Sequence, residues 1–171
     1  MIKAIIFDLD GVIVDAKDIH YNALNVALKD VGEKYAISRD EHLARFDGLP
    51  TKFKLKMLSK ERGLPVDLHQ KISREKRNIT EQMLETLEPD ENLQQILKKL
   101  TNDGIKLYVA SNSVSSTVSL VLKKKGIAQY FKKIVSNQDV AKSKPSPEMY
   151  LNCMADAGVS PKETLILEDS C

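Results

Sequence analysis

Four short apolar runs stand out in a chain that otherwise repeats with a helical period. Residues 4–9 (AIIFDL) are apolar almost throughout, the pattern of a strand buried on both faces of a parallel sheet. Residues 106–110 (KLYVA), 133–136 (KIVS) and 164–167 (TLIL) repeat it. Helical stripes separate the later runs. Leu93, Ile96, Leu97 and Leu100 share one face, with Gly104 placed to end that helix. Val114, Val118, Val121 and Leu122 share the next, which stops near Gly126. A third helix is expected from Ser146 as cap, with Pro147 in the first turn, to about Gly158. The alternation predicts an α/β fold, a doubly wound, Rossmann-like parallel sheet whose ligands bind at the carboxyl ends of the strands.

The stretch between the first and second runs is different. It has helical periodicity, beginning with Ile19, Ala23, Val26 and Ala27, almost no strand signal, and too much length for a crossover. It reads as an inserted helical cap over residues 16–83, with residues 86–90 (TLEPD) as the return linker. The catalytic core is then residues 1–15 and 84–171. An insertion leaving the carboxyl end of the first strand is expected to sit over the site as a lid.

Composition narrows the class. A chain of 171 residues, 42% hydrophobic and 29% charged, suits one α/β domain with an insertion, and no apolar run approaches a membrane span. The opening apolar stretch is broken by Asp8 and Asp10, which is wrong for a signal peptide, so a cytoplasmic protein without a membrane partner is expected. A formal charge of +2 gives no reason to expect nucleic acid, and the lysines at 52–60 and 123–125 read as solvated helix faces. Cys153 and Cys171 lack the spacing of a disulfide framework or metal site and read as reduced, incidental thiols. His42 and His69 read as surface residues.

The chemistry gathers where the apolar runs end. Asp8 and Asp10 close the first, and a bend at Gly11 can turn both toward one pocket. Two carboxylates placed so repel unless a cation lies between them, and a hard ion such as Mg²⁺ takes oxygen ligands of this kind. Ser111, Asn112 and Ser113 follow the second run with donors suited to phosphate oxygens. Lys144 follows the third, in a turn stiffened by Pro145 and Pro147. Glu168 and Asp169 end the fourth with two more carboxylates for a metal.

The motifs Asp8-Leu9-Asp10-Gly11-Val12, Ser111-Asn112, Lys144-Pro145-Ser146-Pro147 and Glu168-Asp169-Ser170, in this order and spacing, resemble the four signatures of the haloacid dehalogenase-like hydrolases. The resemblance implies that Asp8 is a nucleophile forming an aspartyl-phosphate. It implies that Asp10 is the general acid and base, and that Ser111, Asn112 and Lys144 bind the phosphoryl group. It further implies Mg²⁺ held by Asp8, the main-chain carbonyl of Asp10, Asp169 and Glu168, and a small phosphate ester as substrate. The helical insertion resembles the cap shared by β-phosphoglucomutase and phosphoglycolate phosphatase, which closes to exclude water. In the mutase branch a histidine and a cap lysine couple closure to proton transfer, and His20 and Lys76 match them.

Two departures separate the chain from the mutases. Leu49-Pro50-Thr51-Lys52 follows Gly48 where the mutase has an arginine for the distal phosphate, and Val114 stands where it has a lysine. A bisphosphate intermediate needs a second cationic site, so the losses favour simple hydrolysis of a sugar phosphate or similar metabolite, with Lys52 as a partial substitute. The alternatives are a sugar-phosphate mutase and a catalytically inactive binding or scaffold fragment. The family continues with a further helix and strand where this sequence stops at Cys171. The C-terminal part of the core is therefore expected to be missing, with weak metal affinity from a fraying Asp169 and dimerisation through the exposed sheet edge.

Overall fold

The computed structural model describes residues 1–169, so Ser170 of the fourth motif and Cys171 lie outside the described residues. The chain divides into two compact units, one made of Met1–Asp15 and the chain from Glu85 onward, the other of Ala16–Leu84.

The first unit is built on a parallel four-stranded sheet in the order β3-β2-β1-β4. The strands are β1 (Ala4–Phe7), β2 (Lys106–Ala110), β3 (Phe131–Val135) and β4 (Thr164–Leu167). All four residues of β1 are buried, as a strand covered on both faces requires. Side chains alternate across the pleat, so Ile6 and Tyr108 face helix α7 (Glu148–Ala157) and share a core with Met149, Cys153 and Ala157. Phe7 points the other way and meets Phe131 edge-on. Burial in the α7 core pushes the Cys153 thiol up to about 12, which keeps it protonated and inert.

Helices α5 (Glu91–Asn102) and α6 (Ser115–Lys124) complete the sheet's cover. Two expectations need correction here. Ile96 is 56% exposed, because only Leu97 of its stripe reaches the interior fully. Pro147, not Ser146, is the N-cap of α7, although Ser146 Oγ still accepts a bond from Glu148 N at 3.4 Å. At the β4 edge, Leu165 and Ile166 stand exposed.

The second unit is helical. Its main elements are α1 (Lys17–Val31), a single turn α2 (Arg39–Glu41) running into a π turn (His42–Phe46), α3 (Thr51–Arg62) and α4 (His69–Leu84). Leu24, Leu28, Phe46, Leu55, Leu58 and Ile72 form its core, and α1 packs along α4. The buried face of α1 runs through Ala23, Leu24, Ala27 and Leu28, which leaves Val26 on the outer side. Asn25 is buried with both ends of its amide used, bonding Ile37 O at 3.0 Å and Ile37 N at 2.8 Å.

His42 is not the surface residue expected. It is 1% exposed, stacked edge-on against Tyr21, and neither ring nitrogen has a hydrogen-bond partner among the described residues. The π turn, closed by Asp47 N donating to His42 O, carries it inward, an irregularity that simple helical counting does not register. His69 is half-buried, its Nε2 2.7 Å from Ser59 Oγ. Among the described residues no helix is long and apolar enough to cross a membrane.

Candidate active site

In a sheet ordered β3-β2-β1-β4 the chain builds outward from β1 on one side and returns to its other side for β4. The crevice at the carboxyl ends of β1 and β4 is therefore a topological switch point, the place where open α/β sheets bind ligands. Asp8 leaves β1 there, its N–H still donating to Leu167 O at 2.9 Å, and Glu168 and Asp169 leave β4 beside it.

Lys144 joins the two strand ends. Its Nζ donates to Asp8 Oδ1 at 2.7 Å and to Glu168 Oε2 at 2.7 Å. All three side chains are largely buried, so these are charge-assisted bonds in a medium that strengthens them. Burial pushes the Asp8 carboxyl up to about 7; the Lys144 ammonium and its hydrogen bond work against that, and the Glu168 charge adds to it. Burial also penalises charged Lys144 and charged Glu168. Their bonds outweigh it, raising the amine and lowering the Glu168 carboxyl relative to their ordinary values.

The Lys144 loop is held from the second strand end. Asn112 Oδ1 accepts from Lys144 N at 3.0 Å, Asn112 Nδ2 donates to Lys144 O at 3.4 Å, and Asn137 Nδ2 braces Asn112 O at 2.7 Å. Asn112, expected to bind phosphate directly, thus has its amide on the main chain of Lys144. Ser111 is fully buried, with its main chain continuing the ladder onto Val135 O and its Oγ accepting from Ser113 N at 3.0 Å.

Asp10 lies beyond β1 in a loop closed by Gly11 N donating to Val14 O at 2.7 Å, and Ser113 Oγ donates to Asp10 Oδ2 at 3.3 Å. Gly11 has φ +90, and a β-carbon there would run into the Asp169 carboxylate. Glycine is what lets that carboxylate approach the loop.

Asp8, Glu168 and Asp169 can each offer an oxygen such that the ligand atoms all lie within 4.8 Å of one another. Lys144 Nζ contacts two members of the cluster, whose hard oxygen donors suit a divalent cation of the Mg²⁺ type.

In the helical unit, Lys76 Nζ lies 3.0 Å from His20 Nδ1. An ammonium can only donate, so Nδ1 accepts and the imidazole proton sits on Nε2. A groove of about 490 Å³ in the same unit is lined by Tyr21, Asn25 and Lys29 among others. Tyr21 and Asn25 already spend hydrogen bonds on Ile37, so the groove is not the chemical centre.

Sequence reasoning passed over Tyr150, whose hydroxyl donates to Glu168 Oε2 and whose ring lies under the Lys144 ammonium, 5.3 Å away. Burial, then the Glu168 bond, push its phenol up to about 12, so it stays a donor. The available signal was its place in the first turn of the helix that follows the Lys144 loop. Asn137 was likewise unassigned, and Ser113, expected among donors suited to phosphate oxygens, has its hydroxyl on Asp10 Oδ2.

Comparison with known proteins agrees with the strand-end motifs. The family model described as haloacid dehalogenase-like hydrolase matches residues 5–171. The β-phosphoglucomutase of Bacillus subtilis is 29% identical, covering 98% of this chain and 75% of that protein. A phosphorylated carbohydrates phosphatase of Thermotoga maritima is 26% identical, covering 98% of this chain and 76% of that protein. Among solved structures, CbbY from Rhodobacter sphaeroides in complex with xylulose-(1,5)bisphosphate superposes with a TM-score of 0.88. That match is 22% identical and covers 99% of this chain and 79% of the other, a likeness of fold.

Proposed function

The chain belongs to the haloacid dehalogenase-like hydrolases, and from that premise we propose that it is a Mg²⁺-dependent phosphatase acting on a small phosphorylated metabolite, a sugar phosphate in kind. The observation that carries the reading is the buried Asp8 carboxylate at the β1–β4 switch point, with the Lys144 ammonium on one of its oxygens. The names of the T. maritima relative and of the mutase support a phosphorylated sugar as substrate class.

In this reading Lys144 and Ser111 hold the phosphoryl oxygens, and an Asp8 oxygen attacks phosphorus. The bond to the ester oxygen breaks as Asp10 delivers a proton to that oxygen, and the alcohol leaves. Asp10, now a carboxylate, takes a proton from water as the water oxygen attacks the aspartyl-phosphate. Inorganic phosphate departs and Asp8 is restored. Asp8, Asp169, Glu168 and the main-chain carbonyl of Asp10 would hold Mg²⁺, which when bound supplies the positive charge that lets a carboxylate approach a phosphate dianion. Ser113, bonded to Asp10 Oδ2, orients the acid.

The test is phosphate release from a panel of sugar phosphates with Mg²⁺, by the wild type and by Asp8→Asn. The expected result is release that the substitution lowers by about a thousandfold or more. Isomer formation without release would replace hydrolysis by mutase chemistry.

A further inference from the structure

Glu168 Oε2 is the acceptor of two donors. One is Lys144 Nζ at 2.7 Å, and the other is the hydroxyl of Tyr150. Lys144 Nζ in turn reaches Asp8 Oδ1 at 2.7 Å, so an unbroken chain of hydrogen bonds runs from helix α7 through the β4 end and the Lys144 loop to the β1 end. Each middle member is a side chain with several rotatable bonds, and each has a choice of partners in an acidic pocket. Lys144 has three ammonium protons and can turn among nearby carboxylates, so what fixes it on Asp8 is the placement of Glu168.

Tyr150 is the one rigid member of that chain. Its ring packs against the α7 core beside Met149 and Cys153 and under the ammonium, so only its two side-chain torsions need be held and packing holds them. A phenol on a packed ring is a donor at a fixed point, which neither a water nor a flexible side chain supplies.

We propose that Tyr150 is a positioning residue of the phosphoryl-transfer site, its hydroxyl fixing the Glu168 carboxylate so that Glu168 holds the Lys144 ammonium on Asp8. The proposal rests on the phosphatase reading for the reaction it serves, but the Tyr150–Glu168 link is a property of the fold and is tested separately. The ring's packing and the hydroxyl's bond also make different predictions. Tyr150→Phe keeps the ring and removes only the donor, whereas Tyr150→Leu removes both.

The experiment compares wild type, Tyr150→Phe and Tyr150→Leu in phosphate release, and measures Mg²⁺ binding by calorimetry without substrate. A positioning role predicts that Tyr150→Phe already lowers kcat by about 10- to 100-fold with KM within about twofold, and weakens Mg²⁺ binding by about tenfold. A packing role predicts that Tyr150→Phe matches the wild type in both and that only Tyr150→Leu is impaired, which would overturn the proposal. A double-mutant cycle of Tyr150→Phe with Glu168→Gln, read in denaturation midpoints, isolates the link from catalysis. Non-additive shifts support it and additive shifts overturn it. If the wild type releases no phosphate from any ester, the phosphatase reading fails, and the cycle still decides whether Tyr150 holds Glu168.

Discussion

Burial does most to shape Asp8: it raises the carboxyl toward about 7 while Lys144 at 2.7 Å favours the charged form. In the proposed reaction a nucleophile so placed is poorly solvated, its charge stabilised by Lys144 and by the Leu9 main-chain N–H, which suits attack on an incoming phosphorus. Gly11 is as specific. Gly11→Ala combines a positive φ with a β-carbon against Asp169, so a loss of about 1–3 kcal/mol is expected in chemical denaturation. A fully stable variant would show that the loop yields. His42 contributes a pH dependence to the helical unit. Burial and the nearby Lys54 lower its pKa to about 4 from an ordinary 6.5, Asp47 opposes them, and His20 and Arg39 add to the lowering. Between these values the unfolded chain binds a proton that the folded chain refuses. The stability contributed by neutral His42 is therefore complete above about pH 6.5 and lost as pH falls toward 4, by about 2 kcal/mol once solvent screening is allowed for. His42→Leu removes that slope, and denaturation of the two proteins across this range checks it: parallel curves would contradict the assignment.

The strands were legible because burial on both faces leaves a run of apolar letters, as in β1 and β2, and motif residues stand where those runs end. Helix faces were less legible. Val26 and Ile96 continue apolar stripes in the sequence yet stand exposed, since each helix buries a narrower arc than its pattern suggests. The boundary of β3 moved for a related reason: Phe131 begins the strand and packs on Phe7, while Lys132 and Lys133 are exposed on this edge strand. Within the site, Asp8, Glu168 and Asp169 were readable because charges closing apolar runs are costly without partners, and Lys144 because prolines stiffen the turn that carries it. Tyr150 and the Asn112 amide were not, because their roles depend on which main chain or carboxylate a turn brings near, and linear spacing carries no trace of that.

Among the described residues one core lies between the sheet and α7 and another among α1, α3 and α4. A cavity in the second should weaken that unit first. Leu58→Ala is expected to cost about 2–5 kcal/mol and to raise hydrogen exchange across residues 16–84 while β1 and β2 keep their protection. Uniform loss of protection would mean the two units unfold as one. Across the whole chain, the proposed reaction turns on a single covalent event at Asp8, served by residues that follow every strand. The measurement that tests it most directly is acid quenching during turnover of a labelled phosphate ester with Mg²⁺, followed by peptide mapping. The prediction is a hydroxylamine-labile phosphoryl label on the peptide containing Asp8, absent from Asp8→Asn. Turnover by Asp8→Asn at the wild-type rate, or a label on a different residue, would contradict it.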